Sequence, residues 1–267
     1  MEAVVSGHFE RSFILDVDDG PHMGALDETT ALVTGASSGI GEATAHELAE
    51  RGANVVLVAR RRATLEALAE ELEAAYDARA VVADGDVRER ATAEAAVDAA
   101  TDRFGGLDIV VANAGVGRGS DVASMTDEEY FTMQETNVDG TFFLTREALP
   151  HLEASEGTLV VVGSFAGQFP RSFNPVYAAT KWWARGFAHS VAAQVGDEGV
   201  AVSVVNPSEV RTEFGSEDGE PFEERFEPGS VTEPGEVAEA IAFAATREGS
   251  SAQEIDLYRR DKFAGNL

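Results

Sequence analysis

The 267-residue chain contains no cysteine, only two lysines and no long apolar run. Without cysteine there are no disulfides, no thiolate metal ligands and no thiol nucleophile. The apolar stretches, such as 55–59 and 159–163, fall far short of the roughly 20 residues that cross a bilayer. The N-terminus lacks the basic-then-apolar layout of a secretory signal, so a cytoplasmic location is expected. His8, His22, His46, His151 and His189 are dispersed without paired ligand spacing, so no metal site is expected. Positive charge is scarce as well. Twenty Lys and Arg face 48 Asp and Glu, for a net charge of −28. That surface disfavours nucleic acid and anionic membranes, which leaves a small-molecule partner. The acids are spread through every segment, and their mutual repulsion weakens a fold in dilute salt. At 1 M salt the Debye length is about 3 Å. With lysine nearly absent, this pattern predicts a protein of a salt-rich cytoplasm, as in a halophile.

Residues 1–26 show no periodicity and include Asp16, Asp18, Asp19, Gly20 and Pro21. They read as a poorly ordered extension. From about residue 27 to 267 a single domain follows, in which short Val/Leu/Ile runs alternate with helical patterns. Strands are predicted at 30–34, 54–59, 79–83, 108–112, 158–163, 200–206 and 254–258. Helices are predicted at 39–51, 61–76, 88–104, 127–152, 175–196 and 234–247. Continuous apolar strands indicate a sheet covered on both faces. The alternation indicates an α/β fold with a Rossmann-like, doubly wound parallel sheet of about seven strands.

Three sequence features carry chemistry. The turn Thr34-Gly35-Ala36-Ser37-Ser38-Gly39-Ile40-Gly41 joins the first strand to the first helix. A helix N-terminus offers free N–H groups and partial positive charge to a pyrophosphate, and glycines let the backbone approach it closely. The second strand ends Ala59-Arg60-Arg61-Arg62, where an NAD-selective enzyme usually places an acid for the ribose diol. Arg60 there suits a 2′-phosphate, which predicts NADP(H) in preference to NAD(H). Tyr177 and Lys181 lie four residues apart on one helical face. A free tyrosine, with a pKa of about 10, is a poor proton carrier at neutral pH, and a nearby ammonium favours the phenolate. Ser164 closes the strand 158–163, where its hydroxyl can meet a substrate oxygen.

These motifs together resemble the short-chain dehydrogenase/reductase family from about residue 28 onward. Asp86 and Val87 match the segment that contacts adenine. Asn113-Ala114-Gly115 matches the segment after the fourth strand, and Asn137 the catalytic asparagine. Ser164, Tyr177 and Lys181 match the rest of the tetrad. Val205-Asn206-Pro207 through Val210-Arg211-Thr212 matches the segment that closes on the nicotinamide, with Pro207, Val210 and Thr212 as cofactor contacts. The resemblance implies hydride transfer between nicotinamide and a carbonyl or alcohol carbon. It assigns Tyr177 as acid–base, Lys181 as its tuner and ribose contact, and Ser164 as the group polarising the substrate. Asn137 would anchor a proton-relaying water. It also implies a homodimer or homotetramer. Ser208 departs from the glycine common after Pro207, and Trp182 and Trp183 stand where smaller residues are usual.

For substrate contacts the sequence offers Ser164, Phe165, Gln168, Phe173, Tyr177 and Glu209. Arg118, Arg171 and Arg211 are candidate carboxylate clamps. The C-terminal part is similar to the branch that oxidises small 3-hydroxy acids or serine-like compounds with NADP. The acidic, glycine-containing loop 212–231 suits a mobile lid. Alternative readings are a broad carbonyl reductase, a cofactor-occupancy sensor on the same fold, or a sugar-nucleotide epimerase. The complete set Asn137, Ser164, Tyr177 and Lys181 favours an enzyme over a sensor, and the modest C-terminal part disfavours the epimerase.

Overall fold

A computed structural model describes residues 25–118, 121–215 and 220–264. The predicted extension therefore lies mostly outside the described residues. Leu26, at its predicted end, already belongs to the core: it is buried, and its N–H donates to the Arg51 carbonyl at 2.9 Å.

Seven strands form one sheet: β1 (Thr30–Thr34), β2 (Asn54–Val58), β3 (Ala80–Val82), β4 (Ile109–Ala112), β5 (Thr158–Val162), β6 (Ala201–Pro207) and β7 (Glu254–Leu257). Their order is β3-β2-β1-β4-β5-β6-β7, and every neighbouring pair is parallel. The helices are α1 (Gly39–Glu50), α2 (Arg62–Ala75), α3 (Arg90–Phe104), α4 (Asp127–Gln134), α5 (Gly140–Ser155), α6 (Pro175–Val195), α7 (Phe222–Arg225) and α8 (Pro234–Ala245). Successive strand residues point to opposite faces. Val33, Val55 and Val111 therefore pack with Leu48, Leu65, Leu72 and Ile241 on one side. Leu32, Val56, Val110 and Val161 pack with Val97, Leu144, Leu152 and Val191 on the other. This double coverage is the reason the strands read as unbroken apolar runs.

The helix predicted over 127–152 is not uniform. Glu135–Asp139 winds as a π-helix between α4 and α5, and Asn137 lies within it, buried. Such bulges are frequent at functional sites. The strand order reverses between β1 and β4. In open α/β sheets the carboxyl ends of strands at such a point form a crevice. The glycine turn after β1, the segment 113–117 after β4, Ser164 after β5 and Ser208 after β6 all meet that edge.

Candidate active site

The ends of β1 and β4 are stitched together. The Thr34 hydroxyl donates to the Val111 carbonyl at 3.2 Å and accepts the N–H groups of Asn113 and Ala114 at 3.0 and 3.1 Å. The Asn113 amide returns a bond to the Thr34 carbonyl at 2.8 Å. The glycine turn must pass through this crossing. A Cβ on Gly41 would lie 2.2 Å from the Gly35 carbonyl oxygen, and one on Gly35 would lie 2.8 Å from Asn113 Nδ2. Gly35 also has φ +68, where L side chains are strained. Ser38 is the N-cap of α1, yet its side chain makes no capping bond. The first-turn N–H groups of Gly39, Ile40 and Gly41 are thus not consumed by a cap. Thr212, buried after β6, closes over the turn: a Cβ on Gly39 would meet its methyl at 3.0 Å. A cradle that admits no side chain, at an uncapped helix N-terminus, fits a dinucleotide pyrophosphate.

The three arginines after β2 have separate fates. Arg62 pairs with Glu66 at 2.7 Å and Asp84 at 2.8 Å. Arg61 reaches the glycine turn, donating to the Ser37 carbonyl at 2.9 Å and the Ser37 hydroxyl at 3.2 Å, and it approaches Glu213 at 3.4 Å. Arg60 is exposed and makes no ion pair among the described residues. The sequence singles out Arg60, but the arginine in contact with the turn is Arg61. Asp86 is forked by Arg88, whose hydrogen bonds, with help from the charge of Arg60, hold its carboxyl below the usual range. Val87 packs where a Cβ on Gly140 would sit, 3.0 Å from its Cγ2.

Asn137, Ser164, Tyr177 and Lys181 converge. Asn137 clamps the loop after β4 to α6: its Oδ1 accepts the Val116 N–H at 2.8 Å, and its Nδ2 donates to the Val116 carbonyl and the Thr180 hydroxyl, both at 2.9 Å. Lys181, on α6, is buried; its Nζ donates to the Val162 carbonyl at 2.8 Å and lies 6.0 Å from the Tyr177 ring centroid. A Cβ on Gly115 would lie 3.4 Å from both Asn137 Oδ1 and Lys181 Nζ, so a side chain there would crowd both. Burial pushes Lys181 from 10.5 down to about 8. Burial also pushes the Tyr177 hydroxyl up, while its hydrogen bond with Ser164 and the charge of Arg171 pull it back. This corrects the expected balance. Desolvation is the largest influence on the Tyr177 hydroxyl, and of the chain's cations only Arg171 opposes it.

The predicted substrate residues divide. Phe165 follows Ser164 and stacks on Phe169, with centroids 4.4 Å apart. Gln168 is committed elsewhere: its Nε2 donates to Glu254 at 2.6 Å and Asp256 at 2.9 Å, and its Oε1 accepts the Tyr258 hydroxyl. Glu209 is tied to Lys262 at 2.6 and 2.8 Å, and this bond holds its carboxyl low although burial alone would raise it. Phe173 is exposed beneath the Arg171 guanidinium. Arg211 is bound to Glu233 at 3.0 Å and does not serve as a clamp.

The structure adds specific contacts to segments that the sequence already placed at the site. Phe214 lies 5.8 Å from Tyr177, centroid to centroid, and fills the space where a Gly117 side chain would be. An aromatic two residues past Thr212 was the available signal. Further along the same loop, α7 places Phe222 against Phe214 at 5.7 Å. Finally, Asn206 accepts the Ser164 N–H at 3.2 Å and donates to Glu254 at 2.8 Å and Asp256 at 3.0 Å. Arg185 binds the same Glu254 and depresses its carboxyl to about 2. Ser208 accepts the Arg259 N–H at 3.1 Å, which gives this departure from glycine a role in holding the C-terminal segment. Trp183 stacks on Phe187 at 4.6 Å, whereas Trp182 is 48% exposed.

Comparison with known proteins agrees with this geometry. The short chain dehydrogenase family model matches residues 29–221. An NADP-dependent 3-hydroxy acid dehydrogenase of Schizosaccharomyces pombe is 32% identical over 232 residues, covering 84% of this chain and 90% of that protein. A 3-oxoacyl-(acyl-carrier-protein) reductase of Vibrio cholerae is 34% identical over 230 residues, covering 84% and 93%. The crystal structure of an alcohol dehydrogenase from Thermococcus sibiricus complexed with 5-hydroxy-NADP superposes with a TM-score of 0.80 at 29% identity, covering 87% and 97%. The chain thus belongs to the short-chain dehydrogenase family, as a nicotinamide-dependent oxidoreductase acting on CH–OH groups.

Proposed function

We propose that the chain is an NADP(H)-dependent oxidoreductase that interconverts a small alcohol and its carbonyl, with 3-hydroxy acids or serine-like compounds as the substrate class. The observation that carries this reading is the convergence of Ser164 at the end of β5 with Tyr177, buried Lys181 and Asn137 at the edge of the glycine cradle. The hydride chemistry is what a nicotinamide dinucleotide supplies when bound. Gly35, Ser37, Ser38, Gly39, Ile40 and Gly41 would hold its pyrophosphate, with Asp86, Val87, Asn113, Ala114 and Gly115 along the adenosine and ribose side. Pro207, Val210 and Thr212 would close over the nicotinamide end.

Tyr177 is the acid–base group, because its hydroxyl is within reach of Ser164 and of any oxygen that Ser164 binds. Ser164 fixes that oxygen, its backbone held by Asn206. Lys181 has its pKa near neutrality through burial, which lets it lose and regain a proton where an arginine could not. Asn137 holds the loop after β4 and α6 at a fixed distance, which sets the spacing of the other three.

NADP(H) is favoured over NAD(H) by two arginines at the end of β2. Arg61 lies on the turn, and Arg60 is exposed beside it without an ion-pair partner among the described residues. The NADP-dependence of the fission-yeast relative supports the same preference. The salt-rich setting rests on the charge of −28 and the scarcity of lysine. Assembly as a homodimer or homotetramer is supported by exposed Phe131, Phe142 and Trp182 on α4, α5 and α6.

The test is Tyr177→Phe in molar salt. NADP-linked turnover should fall at least about 100-fold, as expected on loss of a general acid–base group, while NADPH binding by fluorescence stays within about threefold. Near-normal turnover would refute the assignment.

A further inference from the structure

Three arginines were candidates for binding a substrate carboxylate, and the structure separates them. Arg211 is spent on Glu233. Arg118 donates to the Gly117 carbonyl at 2.9 Å. Arg171 lies between Ser164 and Tyr177 in the chain, on the wall that runs from one hydroxyl to the other. Its guanidinium lies 4.4 Å from the Phe173 ring centroid and 5.7 Å from that of Phe165, the neighbour of Ser164. Among the described residues no carboxylate pairs with it. Other arginines of the chain are already paired. Arg62, Arg88, Arg185 and Arg211 each have a carboxylate oxygen within 2.6–3.0 Å, as a surplus of acids makes easy.

Lys262 offers a contrast within the same wall. Its Nζ lies 4.3 Å from the Phe165 centroid, but Glu209 neutralises it at 2.6 Å. Of the two cations against Phe165, one is internally satisfied and the other carries an uncompensated charge.

We propose that Arg171 is the specificity-determining residue that binds the carboxylate of the substrate, and that its aromatic bed fixes the guanidinium plane for a two-pronged bond. The assignment rests on the oxidoreductase reading above. The chemistry is that of a planar fork facing a carboxylate. The protein's net charge repels anions, so a carboxylate substrate needs a local cation that is not already neutralised. Stacking on Phe165 and Phe173 orients Arg171 without consuming its donors.

The experiment measures kcat and KM for matched pairs, such as 3-hydroxypropionate and its methyl ester, within a panel of hydroxy acids. NADP and molar salt are held fixed. Wild type, Arg171→Gln and Arg171→Lys are compared. The acid-to-ester ratio of kcat/KM should fall about 10- to 100-fold in Arg171→Gln, as for loss of a charge-assisted pair, and chiefly through KM. Arg171→Lys should recover part of the ratio, since it keeps the charge but loses the fork. A wild type that prefers esters, or a ratio unmoved in Arg171→Gln, overturns the assignment and leaves the oxidoreductase reading standing. Equal loss on both substrates in Arg171→Gln marks a structural role and also overturns it. A wild type inert with NADP on every pair overturns both readings.

Discussion

Replacing Lys181 by methionine should change how stability depends on pH, in a sense that the burial of the lysine dictates. In the native protein Lys181 is 7% exposed and its pKa falls from 10.5 to about 8. Below pH 8 it is charged in both the native and unfolded states, and its burial destabilises the fold by a constant amount. Between about pH 8 and 10.5 the native state releases the proton while the unfolded chain keeps it. The unfolded state then binds more protons, so stability rises with pH. At about 1.4 kcal/mol per pH unit, the full relief is about 3 kcal/mol. Lys181→Met lacks this dependence. Its loss of the bond to the Val162 carbonyl, about 1–3 kcal/mol, is independent of pH and cancels in the comparison. Denaturant titrations of both proteins at pH 7, 8, 9 and 10, in constant molar salt, read the difference. Wild type should gain on the variant by about 2 kcal/mol between pH 7 and 10. A flat difference, or one that falls with pH, would refute the claim that burial destabilises this ammonium.

On the acid side, Glu254, depressed from 4.5 to about 2 mainly by Arg185, contributes stability above pH 4.5 that is lost as pH falls toward 2. Glu254→Gln should flatten that acid limb, and parallel wild-type and variant urea midpoints from pH 5 to 2.5 would contradict it. Arg60→Ala and Arg61→Ala should each weaken NADPH binding about 10-fold or more and NADH binding less than about threefold, by fluorescence titration. Equal losses for both cofactors would remove the 2′-phosphate argument. Dialysis from 2 M to 0.1 M salt lengthens the Debye length to about 10 Å and should abolish activity and near-ultraviolet circular dichroism. Retention of both would sink the salt-rich reading.

The strands and most helix ends were legible because a doubly covered parallel sheet leaves unbroken apolar runs, and because Gly39–Gly41 and Pro175 mark helix starts. The tetrad was legible because Tyr177 and Lys181 are separated by one helical turn and Ser164 ends a strand. What stayed hidden needed a third dimension. The choice between Arg60 and Arg61 depends on which side chain folds back to Ser37, and adjacent residues carry no signal for that. Gln168 looks like a pocket residue in the chain, but its amide is drawn off by Glu254 and Asp256, more than 80 residues away. The Glu209–Lys262 and Ser208–Arg259 contacts span about 50 residues, and no local pattern announces them.

The two lysines show how composition and site fit together. Both side chains are nearly buried: Lys181 is 7% exposed, and the Lys262 side chain 9%. Every other cation is an arginine. Depletion of lysine therefore stops where the cation leaves solvent. On the surface a guanidinium or a carboxylate can replace an ammonium with little structural consequence. In the interior it cannot. In the proposed reaction the cation beside Tyr177 must be able to lose its proton, which a guanidinium does not do in proteins. Against Phe165 and Glu209 it must be a compact point charge that meets both carboxylate oxygens from one atom, as Nζ does at 2.6 and 2.8 Å. Under the carboxylate-binding proposal the same reasoning suits an arginine at position 171, where a permanent, planar charge lies over two aromatic rings.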